Sequence, residues 1–432
     1  MSQLKVGENK RNFTRAGKAF FYLADTVWSA FTNAAMEEWE FYLDKRWSQG
    51  YTVLQINTLP QWDRCLMEDS IYPFYSEDGI KFDFSQWNEA YYDRARQMCR
   101  MAVDKGFHLA LVVLWLNYVP GTWGSRLVDV NIMPKEMVRP YAEKIVEEFE
   151  EFDPVYIISG DTDFDTKEAV EYYETALAAV YEKSPDSLKS MHIKRGYDYI
   201  PKQFLDRISF YMYQSGHNAQ EQKMAYVLAE TFYKNYPPKP IINSEPCYEQ
   251  MGYSRQNYGR FQPYDIRKAA WSGILSGACA GVTYGAHGVW NWKKKGRRRN
   301  PVLGEGFDES FAVQDALQFP GAWDYGYIIN FLESRKITEL KPVQKLLADL
   351  SPEIRMAETE DERYLLYIPY TTKVTIAGNL EGYGAKAIDL ENGRIANVKL
   401  ECSKDASILS MHIFRKDALV ILEKETVLTR HR

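Results

Sequence analysis

The 432-residue chain holds only five cysteines, Cys65, Cys99, Cys247, Cys279 and Cys402, and no two of them stand close together. That scatter excludes a disulfide scaffold and the paired spacing of a thiolate zinc site. The six histidines, His108, His192, His217, His287, His412 and His431, include no i, i+4 pair and no HxH, so neither a metal nor a cofactor is expected. No apolar run is long enough to cross a membrane, and the opening from Met1 to Glu8 lacks the apolar stretch of an export signal. A cytoplasmic protein with reduced thiols is the expectation. Positive charge is not in excess: 53 Lys and Arg stand against 59 Asp and Glu, a net charge of -6, so neither nucleic acid nor an anionic membrane is an expected partner. A glycine-rich phosphate turn is also missing after the first apolar run, which counts against a doubly wound nucleotide-binding sheet.

What is present is a regular alternation of apolar runs and helical patterns up to about residue 345. The runs 20–24, 52–57, 109–115, 155–160, 188–193, 207–213, 240–244 and 280–285 read as eight buried strands. Between the first two, Met36, Trp39, Leu43 and Trp47 fall at helical spacing. Gly106 ends a helix through Trp87 to Lys105, and helices over Pro134–Phe149, Lys167–Glu182 and Ile266–Cys279 follow. Eight such units predict a (β/α)8 TIM barrel over residues 1–345. Beyond Pro342 the texture shifts to short alternating segments, 364–368, 373–376, 385–390, 407–411 and 418–422, separated by turns such as Glu391-Asn392-Gly393. They predict a small antiparallel β-sandwich over 346–432.

Two strands end in acids. Val155 to Gly160 delivers Asp161, then Thr162-Asp163, and the run from Pro240 ends in Glu245-Pro246. In a parallel barrel the carboxyl ends of the strands build the active site, and a facing pair of carboxylates is the equipment of glycoside hydrolysis. Glu245 is the expected nucleophile and Asp161 the general acid/base of a retaining reaction, with Asp163 as the rival acid. The alternative for Asp161-Thr162-Asp163 is a polar turn capping the helix at Lys167. Other strand-end residues, Asp25, Trp28, Asn57, Trp115, His192, Tyr213, Glu249, His287 and Trp290, are expected to line a sugar pocket, with Trp292 beside them. Tyr213 is a candidate to donate a hydrogen bond to Glu245 and favour its ionised form. The basic run Lys293 to Arg299 reads either as a solvated loop or as a lining for an acidic sugar or phosphate. A sugar-binding barrel without catalysis, or a transglycosidase using the same carboxylates, would share these features.

On the stretches Phe21-Tyr22-Leu23-Ala24-Asp25-Thr26-Val27-Trp28, Ser159-Gly160-Asp161, Ser244-Glu245-Pro246-Cys247-Tyr248-Glu249 and Ser276 through Trp290, the chain resembles the apiosidase-like glycoside hydrolases along its whole length. The resemblance implies a (β/α)8 barrel, a catalytic pair at Asp161 and Glu245, and a carboxyl-terminal β-sandwich related to a collagen-binding-like domain. Ser159 stands where that family commonly has glycine. The missing export signal implies a substrate already imported, such as a short oligosaccharide or a plant glycoside cut from its non-reducing end. The expected partner is therefore a small carbohydrate.

Overall fold

Eight short runs of apolar residues become the inner ring of the molecule because strands covered on both faces can carry side chains that avoid water on either side. The computed structural model describes residues 3–253, 257–296, 309–348 and 351–425. In chain order the ring strands are β1 (Tyr22–Thr26), β2 (Val53–Asn57), β3 (His108–Trp115), β4 (Val155–Gly160), β5 (Lys189–Ser190), β6 (Tyr211–Tyr213), β7 (Ile241–Asn243) and β8 (Gly281–Tyr284). All neighbours are parallel, and β8 pairs back onto β1. The remaining seam, between β5 and β6, is closed by a parallel bridge of His192 to Met212. The barrel is thus nearly continuous, and His192 sits on its last suture.

The helices follow the expected pattern with shifted ends. Helix Met36–Ser48 buries Trp39, Tyr42, Leu43 and Arg46 against the ring, and helix Glu89–Lys105 stops at Gly106, whose φ of 109° is the left-handed conformation that glycine adopts without cost. Trp87 is not in that helix. It ends a small hairpin, Phe74–Tyr75 with Asp83–Trp87, inserted between β2 and β3. Phe20 likewise belongs to an amino-terminal antiparallel sheet of three strands, Leu4–Val6, Phe13–Arg15 and Lys18–Phe20. The expected fifth and sixth strands shrink to two and three residues.

After the barrel come two antiparallel sheets. Six strands run in the order Leu340–Pro342, Arg355–Thr359, Tyr364–Ile368, Ala418–Lys424, Tyr383–Asp389 and Ile395–Val398, and three more, Val374–Ala377, Ala406–Leu409 and Leu400–Cys402, form the second sheet. The larger sheet begins at Leu340, ahead of the boundary expected at 346. Its strands alternate faces: Leu366 and Ile368 enter the region's own core with Val374, Ile376 and Leu409, whereas Leu365 and Tyr367 join the barrel's core. Burial of both faces fastens this region to the barrel, and Arg267 of helix Pro263–Ile274 adds paired hydrogen bonds of 3.0 and 2.7 Å to Asp417.

Among the described residues no helix is long and apolar enough to cross a membrane, and no group of three or more His, Cys, Asp or Glu side chains could hold a metal ion. All five cysteines are free.

Candidate active site

The carboxyl ends of the ring strands converge on a cavity of about 390 Å³ that holds both Asp161 and Glu245. Its walls are Trp28, Trp62, Trp115, Trp123 and Trp290, with Gln61, Lys194, Gln214, His217 and Tyr248 among the polar residues between them. A larger groove of about 720 Å³ runs along residues 66–88, but neither Asp161 nor Glu245 reaches it. Trp115 ends β3, and the other four tryptophans are supplied by loops after β1, β2, β3 and β8, the arrangement by which a rigid barrel presents a pocket.

Glu245 lies two residues beyond β7, is 7% exposed, and is held by two imidazoles. His217 Nε2 is 3.0 Å from one of its oxygens, and His192 Nε2 is 3.3 Å from the other. The first is a well-formed hydrogen bond; the second is longer and off line, closer to a charge–dipole contact. The far nitrogen of each ring fixes the tautomer. The Asp161 backbone N–H donates to His192 Nδ1 at 2.8 Å, and the Tyr248 backbone N–H donates to His217 Nδ1 at 3.2 Å. With Nδ1 acting as acceptor in both rings, the Nε2 atom of each ring carries the proton that faces Glu245, in line for His217 and off line for His192. Burial works to raise the pKa of Glu245, but the two imidazoles overcome it and hold the carboxyl at about 2. Glu245 is therefore held ionised between two imidazoles.

A second layer supports this arrangement. The Tyr248 hydroxyl accepts from Trp28 Nε1 at 3.1 Å, and burial together with the charge of Glu245 pushes its phenol pKa well up, so it remains a protonated donor. Tyr248 can lie there because residue 285 is glycine: a Cβ would stand 2.0 Å from its ring. Gly216 N–H donates to the Glu245 carbonyl at 2.9 Å, which pins the loop carrying His217.

Asp161 follows the last residue of β4. Gly160 is required there, because a Cβ would meet the Trp115 ring at 1.9 Å. Asp161 itself takes φ of 51°, a left-handed conformation that aspartate tolerates better than most side chains but still at a cost of about 1 kcal/mol. Its N–H is bound by His192 and its carbonyl accepts from Trp123 Nε1 at 2.7 Å. Asp163, the rival acid, is fully buried and engaged by the Trp123 N–H at 3.1 Å, by Lys194 at 3.2 Å and by Arg126 at 3.5 Å. It fastens the loop after β3 and does not line the cavity.

The other expected residues divide into two groups. Trp28, Trp115 and Trp290 line the cavity, and His192 lies beneath it, its ring 6.1 Å from that of Trp115. Tyr213 is not brought to Glu245: its hydroxyl donates to the Ala225 carbonyl at 2.7 Å. Asp25 turns away from the cavity into an ion pair of 2.6 Å with Arg46, because the pleat carries it towards helix Met36–Ser48. Glu249 binds the Tyr284 hydroxyl at 2.5 Å and the Gly321 N–H at 3.1 Å, which ties the loop after β7 to the start of helix Gly321–Ser334. His287 accepts from Trp290 Nε1 at 3.2 Å, and Asn57 donates to Gln61 at 3.1 Å, so both brace residues of the wall without lining it. Trp292 is buried against Trp39 and Tyr42. Of the basic run, Lys293 bonds Glu309 and Ser310 and Lys294 bonds Asp69, away from the cavity; Arg297 to Arg299 lie outside the described residues. Sequence reasoning missed His217 and Tyr248 as partners of Glu245 and Trp123 as a partner of Asp161. The available signal for His217 was a lone histidine preceded by glycine four residues past the end of β6.

The catalytic-domain model of the Apiosidase-like family matches residues 7–339. Among solved structures, one described as a glycoside hydrolase superposes with a TM-score of 0.77 at 20% identity, covering 98% of this chain and 97% of its own. A glycoside hydrolase family 5 protein from Bacteroides vulgatus ATCC 8482 does so with a TM-score of 0.80 at 20% identity, covering 98% and 93%. At that identity the likeness establishes the barrel and its appended sheets. No curated protein matches the sequence. The match of the family model across the whole barrel shows that this chain belongs to the Apiosidase-like family and is a glycoside hydrolase.

Proposed function

We propose that the enzyme removes a sugar from the non-reducing end of a short oligosaccharide or plant glycoside by a retaining double displacement. The observation that carries this reading is the ionised Glu245 held between two Nε2–H imidazoles at the base of the cavity. A carboxylate without a cationic partner keeps its electron pair available to carbon. In the first step Glu245 bonds to the anomeric carbon while the glycosidic C–O bond breaks, its electrons passing to the departing oxygen, which takes the proton of Asp161. In the second, Asp161 accepts a proton from water as that water attacks the anomeric carbon and releases Glu245. A cavity of about 390 Å³ walled by tryptophans fits one or two sugar rings better than a polymer chain.

The test is hydrolysis of a panel of aryl pyranosides and furanosides and plant-derived oligosaccharides by wild type, Glu245→Gln and Asp161→Asn. Release of one sugar with retained anomeric configuration, lost in the folded Glu245→Gln protein, is the expected result. An inverted product, or full activity in that variant, would overturn the assignment.

A further inference from the structure

We propose that Trp123 is a positioning residue for the acid/base: its indole N–H holds the Asp161 peptide in the left-handed conformation that presents the carboxyl to the leaving group. The proposal rests on the reading of Asp161 as acid/base given above. Three observations meet at this one peptide. Asp161 is one of eight non-glycine residues with positive φ among the described residues, and among these eight it is the one whose side chain lines the cavity. Its carbonyl receives a side-chain hydrogen bond from Trp123 Nε1 at 2.7 Å. Its N–H is taken by His192 Nδ1, so both polar groups of the strained residue are clamped by aromatic side chains that themselves belong to the site.

The clamp is rigidly mounted. The Trp123 backbone N–H is bound by buried Asp163, Lys194 bridges Asp163 to Asp165, and the Trp123 ring packs edge-on against Trp62, 6.4 Å between centroids. Backbone conformation sets where a short side chain such as aspartate can reach. Relaxation of φ from the left-handed to the ordinary region would swing the carboxyl away from its present position. An acid displaced by about 1 Å loses on the order of 100-fold in proton transfer. Because the Trp123 N–H acts only through Asp161, its deletion with the ring kept affects the step that needs a proton donated and spares a step that does not. Glycosides of poor leaving groups need that proton; those of strongly acidic phenols depart without it.

The experiment compares Trp123→Phe, which keeps a ring and deletes the N–H, with wild type and Asp161→Asn. Each is assayed on a dinitrophenyl glycoside and a methyl glycoside of the sugar the wild type releases. Expected for Trp123→Phe is a fall in kcat/KM of about 10- to 100-fold on the methyl glycoside and less than about threefold on the dinitrophenyl glycoside at low conversion. Equal losses on both substrates would overturn the proposal and assign Trp123 a general wall function. So would wild-type rates on both, provided Asp161→Asn still loses the methyl glycoside. If Asp161→Asn spares both substrates, it is the acid/base reading that fails. Should Trp123→Phe fold poorly, Trp123→His, which retains a ring N–H, serves as the second variant, with partial recovery on the methyl glycoside expected and none overturning the proposal.

Discussion

Two buried carboxylates stand at the carboxyl ends of ring strands, Asp25 on β1 and Glu245 after β7, and the protein treats them in opposite ways. Asp25 is locked by a cation: Arg46 Nε at 2.6 Å and the Tyr42 hydroxyl at 2.8 Å, with Arg46 further enclosed by the rings of Tyr42, Tyr51 and Tyr284. Burial pushes the Asp25 carboxyl pKa up, and Arg46 and Tyr42 pull against it, while the carboxylate keeps the buried guanidinium charged against its own desolvation. Among the described residues no lysine or arginine pairs with Glu245, which faces two imidazoles, the Tyr248 hydroxyl and an opening onto a cavity. The chemistry follows from the partner rather than from burial. A full positive charge at 2.6 Å stabilises a carboxylate but spends its electron pairs, whereas imidazole dipoles stabilise the charge and leave it able to attack. One site is a rivet between barrel and helix; the other is the proposed nucleophile.

The largest test of that contrast is the exchange of each carboxylate for its amide. Glu245→Gln should lower kcat/KM by roughly 10⁴- to 10⁶-fold, the scale seen when a nucleophile is removed. It should also lose about 1–3 kcal/mol of stability by denaturant titration, because a side-chain NH₂ must then face one of two imidazole N–H groups whose Nδ1 atoms are already committed. Asp25→Asn should reverse the proportions. It leaves Arg46 buried without a counter-charge and should cost about 3–5 kcal/mol, while the folded fraction keeps an activity within a few-fold of wild type. A catalytic collapse in Asp25→Asn at unchanged stability would dissolve the distinction.

A pH profile sharpens it. With Glu245 depressed to about 2, the wild-type acid limb above roughly pH 3 belongs to some group other than the nucleophile. The depression also bears on stability: a folded pKa below the unfolded value contributes stability that is complete above the unfolded carboxyl pKa and is lost as the pH falls towards 2. His217→Phe deletes the better-aligned donor while burial remains, so the Glu245 pKa must rise. The expected outcome is an acid limb displaced upward in kcat/KM, with activity near neutral pH reduced less than in acid. An unmoved limb would mean that without His217 the Glu245 pKa still lies below that of the group governing the limb.

The contrast also explains which parts of the molecule could be read in advance. The ring was legible because doubly covered strands must be apolar throughout, so β3 and β4 stand out as Leu109 to Trp115 and Val155 to Ile158. Strands Ile395–Val398 and Leu400–Cys402 were not, since they are largely exposed edge strands with too few apolar residues to show a period. In the site, the two acids announced themselves by ending apolar runs. What a sequence does not reveal is the side to which a strand-end residue points, because one step along the pleat separates the cavity from the helix layer. Asp25 and Tyr213 look inward in the sequence and point outward in the fold. His217 and Trp123 sit on loops, where no periodicity reports position, and only the folded ring brings them to Glu245 and Asp161.

The smallest expected effect separates Tyr213, the tyrosine the sequence offers to Glu245, from Tyr248, the one the fold places beside it. Tyr213 gives its hydroxyl to the Ala225 carbonyl near the start of helix Met224–Asn235, whereas the Tyr248 hydroxyl lies between Trp28 and Glu245. Tyr213→Phe removes one neutral hydrogen bond to a carbonyl that still has a helical partner available. Stability should fall by about 0.5–1 kcal/mol, and kcat/KM should stay within about twofold of wild type. Tyr248→Phe removes a donor from the nucleophile's surroundings and should lower kcat/KM by about 10-fold with little change in KM. The pair is informative because both rings are fully buried and both substitutions delete a single oxygen, so a difference in kcat cannot come from packing. Equal activity losses in the two variants would mean that a tyrosine hydroxyl affects this site by general rigidity, and that proximity to Glu245 confers nothing of its own.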